Sequence, residues 1–172
     1  LSNMAIEMGA KTGLVEPDMK TTAYLKSLGH KIHPEIKSDV DAKYCGELRF
    51  DVSKLEPQVA CPDLVDNVKS ISEVEGLEVN QVFIGSCTNG RIYDLRIVAE
   101  IMKRKKVKKG VRVIVVPVSK MVYMQALKEG LIEIFVKAGC AVCNPGCGPC
   151  AGGHQGILAP GEVCVSTSNR NF

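Results

Sequence analysis

Residues 111–118, V-R-V-I-V-V-P-V, are β-branched and apolar almost throughout. A strand with one wet face alternates apolar and polar residues, whereas a continuous apolar run belongs to a strand covered on both faces. Such strands are typical of parallel sheets, whose crossover connections pack as helices against the sheet. The neighbouring sequence agrees. Residues 81–85 form another short apolar run, and between 91 and 106 Ile92, Leu95, Val98, Ala99 and Met102 recur at helical spacing. Two further helical pieces, 122–128 and 131–137, stop at Gly130 and Gly139, and 141–144 and 162–166 read as short strands. This alternation predicts an α/β fold, a mostly parallel sheet with helices on its faces.

The first half has a looser grammar. In residues 1–10, Ser2 or Asn3 suits a helix N-cap, and Asn3 and Glu7 are four apart, on one face of any helix they share. Taken alone they read as a cap and a solvated glutamate. Residues 19–28 predict a short helix closed by Gly29. His30 and His33 are spaced to chelate a metal, but they sit in a polar loop with no third ligand nearby and read as loop residues. Residues 44–52, Y-C-G-E-L-R-F-D-V, alternate as a half-exposed strand with Cys45 buried in packing. Residues 55–76 read as an irregular connector with a short helical piece and a structural Cys61. The expected division is a smaller α/β piece with linker, 1–76, and a second α/β domain, 77–172.

Bulk properties exclude several classes. A net charge of +3 steers no particular partner. The basic run at 103–109 lies at a helix C-terminus, where cations suit the dipole, and no stacking aromatics accompany it, so no nucleic acid is expected. No apolar run approaches the roughly 20 residues of a membrane span, and no membrane partner is expected. Eight cysteines without a secretory signal pattern point to a reduced, cytoplasmic setting with thiolate chemistry rather than to disulfides. The chain opens on Leu1 rather than Met and closes on Asn171-Phe172 with no cap or polar tail, so a longer polypeptide is expected.

In open parallel sheets, ligands collect beyond the carboxyl ends of the strands. Cys87 in G-S-C-T-N-G (85–90), Cys147 and Cys150 in N-P-G-C-G-P-C-A-G-G (144–153), and Asn169-Arg170 all fall there. With Cys140 and Cys143 the second group spells C-x2-C-x3-C-x2-C, which admits several readings. The spacer is short for a structural zinc site and the count one residue off for a ferredoxin-type carrier; a thioredoxin-like redox pair, which wants one C-x-x-C opening a helix after a strand, stays open on spacing alone. A fourth reading joins Cys147 and Cys150 to the remote Cys87: three thiolates on a four-iron cluster leave one iron without a protein ligand, free as a Lewis acid. Gly146, Gly148, Gly152 and Gly153 would let backbone N–H groups close on its sulfides.

Together with L-S-N-M-A-I-E-M-G-A at 1–10 and S-T-S-N-R-N-F at 166–172, these ordered motifs resemble the aconitase superfamily over essentially the whole chain, most closely its isopropylmalate dehydratase large-subunit branch. The resemblance implies an aconitase-like fold with a [4Fe–4S] cluster on Cys87, Cys147 and Cys150, at the strand C-terminal ends. It implies that Asn3 and Asn169 hydrogen-bond around the cluster. Glu7 would handle the water or hydroxyl, and Arg170 would bind a substrate carboxylate through its bidentate fork. Cys140 and Cys143 fall outside the implied ligand set. The implied reaction is dehydration and rehydration of a hydroxy-dicarboxylate, isopropylmalate in this branch. A homoaconitase or dimethylmalate-type dehydratase is the alternative, and a non-catalytic iron–sulfur or zinc protein the alternative from another class. A separate small subunit carrying the swivelling domain, with the base serine and the substrate-selecting loop, is the implied partner. The family's histidine–aspartate residues and its second arginine lie outside these residues, so no turnover is expected from them alone.

Overall fold

The computed structural model describes residues 1–31 and 36–170. They form two compact units, Leu1–Leu55 and Glu56–Phe172.

In the first unit, a 3-10 turn at Ser2–Met4 leads into further turns as far as Gly9. Helix α1 (Met19–Ser27) starts where it does because Asp18 caps it, its Oδ1 accepting from the Thr21 amide at 2.7 Å. Those Thr21 bonds hold the Asp18 carboxyl below its ordinary range. The chain leaves the helix at Gly29, φ +77°. The strand expected at 44–52 does not form: these residues carry no regular structure, and Leu48 and Phe50 are 82% and 80% exposed. A strand exists only by pairing, and this unit offers no second strand among its described residues. Cys45 is accordingly exposed rather than buried. His33 lies outside the described residues.

The second unit opens with a hairpin inside what reads as a connector. Strands β1 (Gln58–Ala60) and β2 (Val68–Ser70) pair antiparallel, Gln58 opposite Ser70. A 3-10 turn at Ile71–Glu73 follows, where Glu73 Oε2 accepts from the Ser70 amide at 2.9 Å in a capping box.

The main sheet has four parallel strands: β3 (Gln81–Gly85), β4 (Arg112–Val116), β5 (Ala141–Val142) and β6 (Cys164–Ser166), in the order β5-β4-β3-β6. From β3 to β5 the chain steps one way. Its crossovers, α3 (Ile92–Met102), then α4 (Lys120–Lys128) and α5 (Leu131–Ala138), pack on one face, as the right-handed rule requires. There Leu95, Ala99, Ala126, Phe135 and Ala138 close over Ile84, Val113 and Val115. From β5 to β6 the chain steps back past β4 and β3, so the same rule sends that connection across the opposite face. Phe83, Ile114 and Val116 form a second, smaller core there, with Cys143, Cys150 and Cys164 against it. The alternation of side chains along β3 and β4 thus serves two cores.

Helix α3 ends at Met102, where Lys103 leaves helical geometry at φ −55°, ψ 125°, so the basic run follows the helix instead of extending it. Arg96 makes a bidentate pair with Glu129, at 2.8 and 2.7 Å, that fastens α3 to the turn after α4.

At the amino edge of the sheet, Arg112 grips Glu162 with both terminal nitrogens, at 2.8 and 2.6 Å. The Arg112 bond, helped by the Ala159 amide, pulls the Glu162 carboxyl from its ordinary 4.5 down to about 2. A depressed carboxylate pKa stabilises the fold fully above the unfolded-state value and is lost as pH falls through the folded one. Glu162→Gln is therefore expected to lower the urea midpoint at neutral pH. Its deficit against the parent should shrink between pH 4.5 and about 2. A deficit that does not change across that window would show that the charge is not what matters.

Candidate active site

Cys87 owes its position to a backbone that only glycine allows. Gly85 ends β3 at φ +114°, and a Cβ there would lie 2.0 Å from the Val116 carbonyl oxygen. Ser86 follows at φ +73°, a conformation uncommon for a side-chain-bearing residue. Its buried Oγ has no hydrogen-bond partner among the described residues. This sharp reversal opens the four-residue helix α2 (Ser86–Asn89), so Cys87 sits exposed inside a helical turn that precedes α3. Gly90 closes the turn equally tightly, since a Cβ there would be 2.6 Å from the Val116 and Ser86 carbonyl oxygens.

The segment after β6 is bonded to this turn. Gly85 N–H donates to Thr167 Oγ1 at 2.9 Å, Thr167 N–H to the Phe83 carbonyl at 3.0 Å, and Thr88 Oγ1 to Asn169 Oδ1 at 3.4 Å. Asn89 Nδ2 also donates to the Thr167 carbonyl. Ser168 Oγ donates to the Arg170 carbonyl at 3.1 Å. Two motifs distant in sequence are thereby joined at the carboxyl end of β3, and Asn169 and Arg170 lie half-buried there.

The cysteine loop meets the same edge from the second face. Gly148 is buried, and a Cβ on it would lie 3.0 Å from the Phe83 ring and 3.1 Å from Val116 Cγ2. Cys150 packs on the Phe83–Ile114–Val116 core in the 3-10 turn Gly148–Ala151, while Cys147 is exposed. The Cys87 turn and the loop therefore share Val116, the last residue of β4. A cavity of about 430 Å³ opens beside the loop, lined by Cys143, Asn144, Gly146, His154 and Gln155 among others.

Cys140 is buried in the helical core with Phe135 and Ala138, and burial pushes its thiol up. Cys143 packs into the opposite core. The local C-x2-C-x3-C-x2-C array is thus split between the two faces of the sheet, which opposes a four-cysteine zinc or ferredoxin site.

The residues suit a cluster of the kind the resemblance implies. Cys87, Cys147 and Cys150 are all free thiols, and they reach the carboxyl edge on glycine-rich backbone. Among the described residues, no three His, Cys, Asp or Glu side chains are gathered around one metal ion. Thiolates on a cubic cluster bind separate irons at separate corners, so their sulfurs stand farther apart than ligands of one ion. Asn3 is exposed in the Ser2–Met4 turn of the first unit, and Glu7 is half-buried just beyond it. Thr88, Asn89 and Thr167 stand in the motifs, but nothing in their spacing announces that Thr88 bonds to Asn169 and Asn89 to Thr167.

A profile of the aconitase family (aconitate hydratase) matches residues 1–76 and 68–172. The chain belongs to that family, a mixed α/β fold of hydro-lyases. It is 61% identical over 172 residues to the probable 3-isopropylmalate dehydratase large subunit of Methanothermobacter thermautotrophicus, covering 100% of this chain and 41% of that relative. It is 59% identical to the 3-isopropylmalate dehydratase large subunit of a Sulfurihydrogenibium species, covering 100% of this chain and 40% of the relative. It is 55% identical to the methanogen homoaconitase large subunit of Methanocaldococcus jannaschii, covering 100% and 43%. The chain spans about two-fifths of the length of these curated relatives.

The Thr167 hydroxyl is expected to hold the turn in place. Thr167→Val keeps the shape but leaves the buried Gly85 N–H without its acceptor, which should cost about 1 kcal/mol in denaturant unfolding. Hydrogen exchange at the Gly85 amide should quicken. Unchanged exchange would mean that the bond contributes nothing to the turn.

Proposed function

We propose that this chain forms the cluster-holding part of the large subunit of a [4Fe–4S]-dependent hydro-lyase. The reaction is the interconversion of 2-isopropylmalate and 3-isopropylmalate by dehydration and rehydration, in cytoplasmic leucine biosynthesis. The observation that carries this reading is the meeting of the Cys87 turn and the Cys147/Cys150 loop at Val116, in a chain 61% identical throughout to a protein named for that reaction. The domain boundary that goes with it is the one near residue 76.

On this reading Cys87, Cys147 and Cys150 hold the cluster, and Asn3 and Asn169 donate hydrogen bonds around it. When bound, a cluster held by three thiolates offers one iron as a Lewis acid toward a substrate oxygen. Arg170 clamps a substrate carboxylate and fixes the carbon that loses its proton. Glu7 takes and returns the proton of the departing and re-entering water. A small subunit completes the site with the base and the substrate-selecting loop. Homoaconitase is the second reading, favoured by 55% identity to a homoaconitase large subunit. Turnover of homoaconitate in preference to isopropylmalate by the natural full-length protein with its partner would select it.

In that protein, Cys87→Ser is expected to reduce bound iron, acid-labile sulfide and activity to background. A cluster that survives the change intact would exclude Cys87 as a ligand and return the local cysteine array to consideration. Arg170→Lys keeps the charge but loses the fork. It should raise KM for the hydroxy acid about ten- to a hundredfold, the worth of one charge-assisted hydrogen bond. Cluster content should stay unchanged, and an unaltered KM would remove Arg170 from substrate binding.

A further inference from the structure

The amino edge of the sheet lies opposite the edge that carries the cysteines, yet its polar network reaches the cysteine loop. Gln81, the first residue of β3, is wholly buried. It is paired with Cys164 in the sheet and faces the second core. Its Nε2 donates to the Gly156 carbonyl at 2.8 Å and contacts Cys164 Sγ at 3.6 Å, while its Oε1 accepts from Arg112 Nε at 3.1 Å. Arg112 is itself held by the Glu162 carboxylate, which also accepts from the Ala159 amide at 2.9 Å. Gly156, Ala159, Glu162 and Cys164 all belong to the limb that returns from the cysteine loop to β6.

Gly156 is where this network meets the cysteines. Its φ is +80°, and a Cβ on it would lie 2.5 Å from Ile114 Cδ1 and 2.9 Å from Pro149 Cγ. Pro149 separates Gly148 from Cys150 in the 3-10 turn. The carbonyl that Gln81 grips therefore belongs to a residue pressed against the turn that presents the cysteine pair. Arg112 Nε decides which way the amide faces: it needs the oxygen, and the NH2 is thereby left pointing at Gly156.

We propose that Gln81 is a positioning residue for the Cys147–Cys150 pair, with Arg112 and Glu162 orienting its amide. Its consequence for a cluster rests on the function proposed above; the mechanical link to the loop does not. Only an amide supplies both halves of the bridge. A carboxylate cannot donate to Gly156, and an apolar side chain of equal length leaves the Arg112 donor and the half-buried Gly156 acceptor without this partner.

The test uses the natural full-length protein, first free of metal and then reconstituted. In the metal-free protein, Gln81→Met is expected to raise alkylation by iodoacetamide of Cys150, which packs half-buried on the second core, about tenfold, the equilibrium worth of one lost hydrogen bond. Hydrogen exchange over 145–156 should rise with it, while alkylation of Cys140, buried in the other core, stays at its parent rate. In the reconstituted protein, release of iron to a chelator should quicken by a similar factor. Ile132→Val, a packing change in the other core, serves as the control for general loosening. Glu162→Gln should move the same readouts in the same direction by less, and it decides the matter should Gln81→Met not fold. A Cys150 rate that stays within about twofold of parent, or a rise shared equally by Cys140, overturns the proposal. Loosened thiols in a protein that assembles no cluster would leave the positioning role standing and sink the cluster reading instead.

Discussion

The carboxyl edge of the sheet depends on how closely the backbone after β3 can approach the last carbonyl of β4. At Gly85 that approach leaves 2.0 Å to a would-be Cβ, and at Gly90 it leaves 2.6 Å, both to the Val116 oxygen. Only glycine tolerates such contact, so the turn between these two positions is forced into a short helical knot. The knot exposes Cys87 and buries Ser86. A wider turn would free the thiol to wander and would release the Gly85 amide from Thr167. The strained φ of Ser86 and its unmet hydroxyl are local costs that the surrounding contacts offset, an arrangement common where a site must be held rigid.

Handedness then determines which side of the sheet each loop can use. The β3–β4–β5 steps place α3, α4 and α5 on one face, and the reversal to β6 leaves the other face to the cysteine connection. Within this unit that second face carries the Gly-, Pro- and Cys-rich loop with its 3-10 turn, and the core there, Phe83, Ile114 and Val116, is small. The switch in strand order falls between β3 and β6, where the Cys87 turn and the Thr167–Arg170 segment are bonded together. Ligands collect at such crevices because two loops diverge there while both are anchored to adjacent strands.

Much of this could be read from residues alone, and the failures have physical causes. The β-branched run around Ile114 and Val115, the 3.6-residue spacing of Leu95 and Ala99, and the glycines at 130 and 139 each act locally, so their signals survive without tertiary context. Residues 44–52 alternate as a strand should, but alternation is only permission: with no partner strand among the described residues of that unit, Leu48 and Phe50 stay exposed. The hairpin from Gln58 to Ser70 leaves no sequence signal for the opposite reason, because three-residue strands are too short to show a period. At the site, the cysteines announce themselves by type and spacing. Thr167 and Gln81 do not, because their importance comes from long-range hydrogen bonds to Gly85 and Gly156.

The two edges of the sheet are chemically unlike, and the difference follows from what each must do. The carboxyl edge presents the exposed Cys87 and Cys147 and the half-buried Asn169 and Arg170, all of which weaken packing. The amino edge has no such duty and can carry the Glu162–Arg112–Gln81 chain, whose groups satisfy one another almost completely. A polar chain anchored on the buried Gln81 and paired in this way favours one register and resists sliding of the limb it holds. Since that limb leads directly back to the cysteine loop through Gly156 and Pro149, order at the quiet edge is transmitted to the reactive one along a single stretch of chain. Leu, the common choice for a position as buried as 81, would pack well but hold nothing.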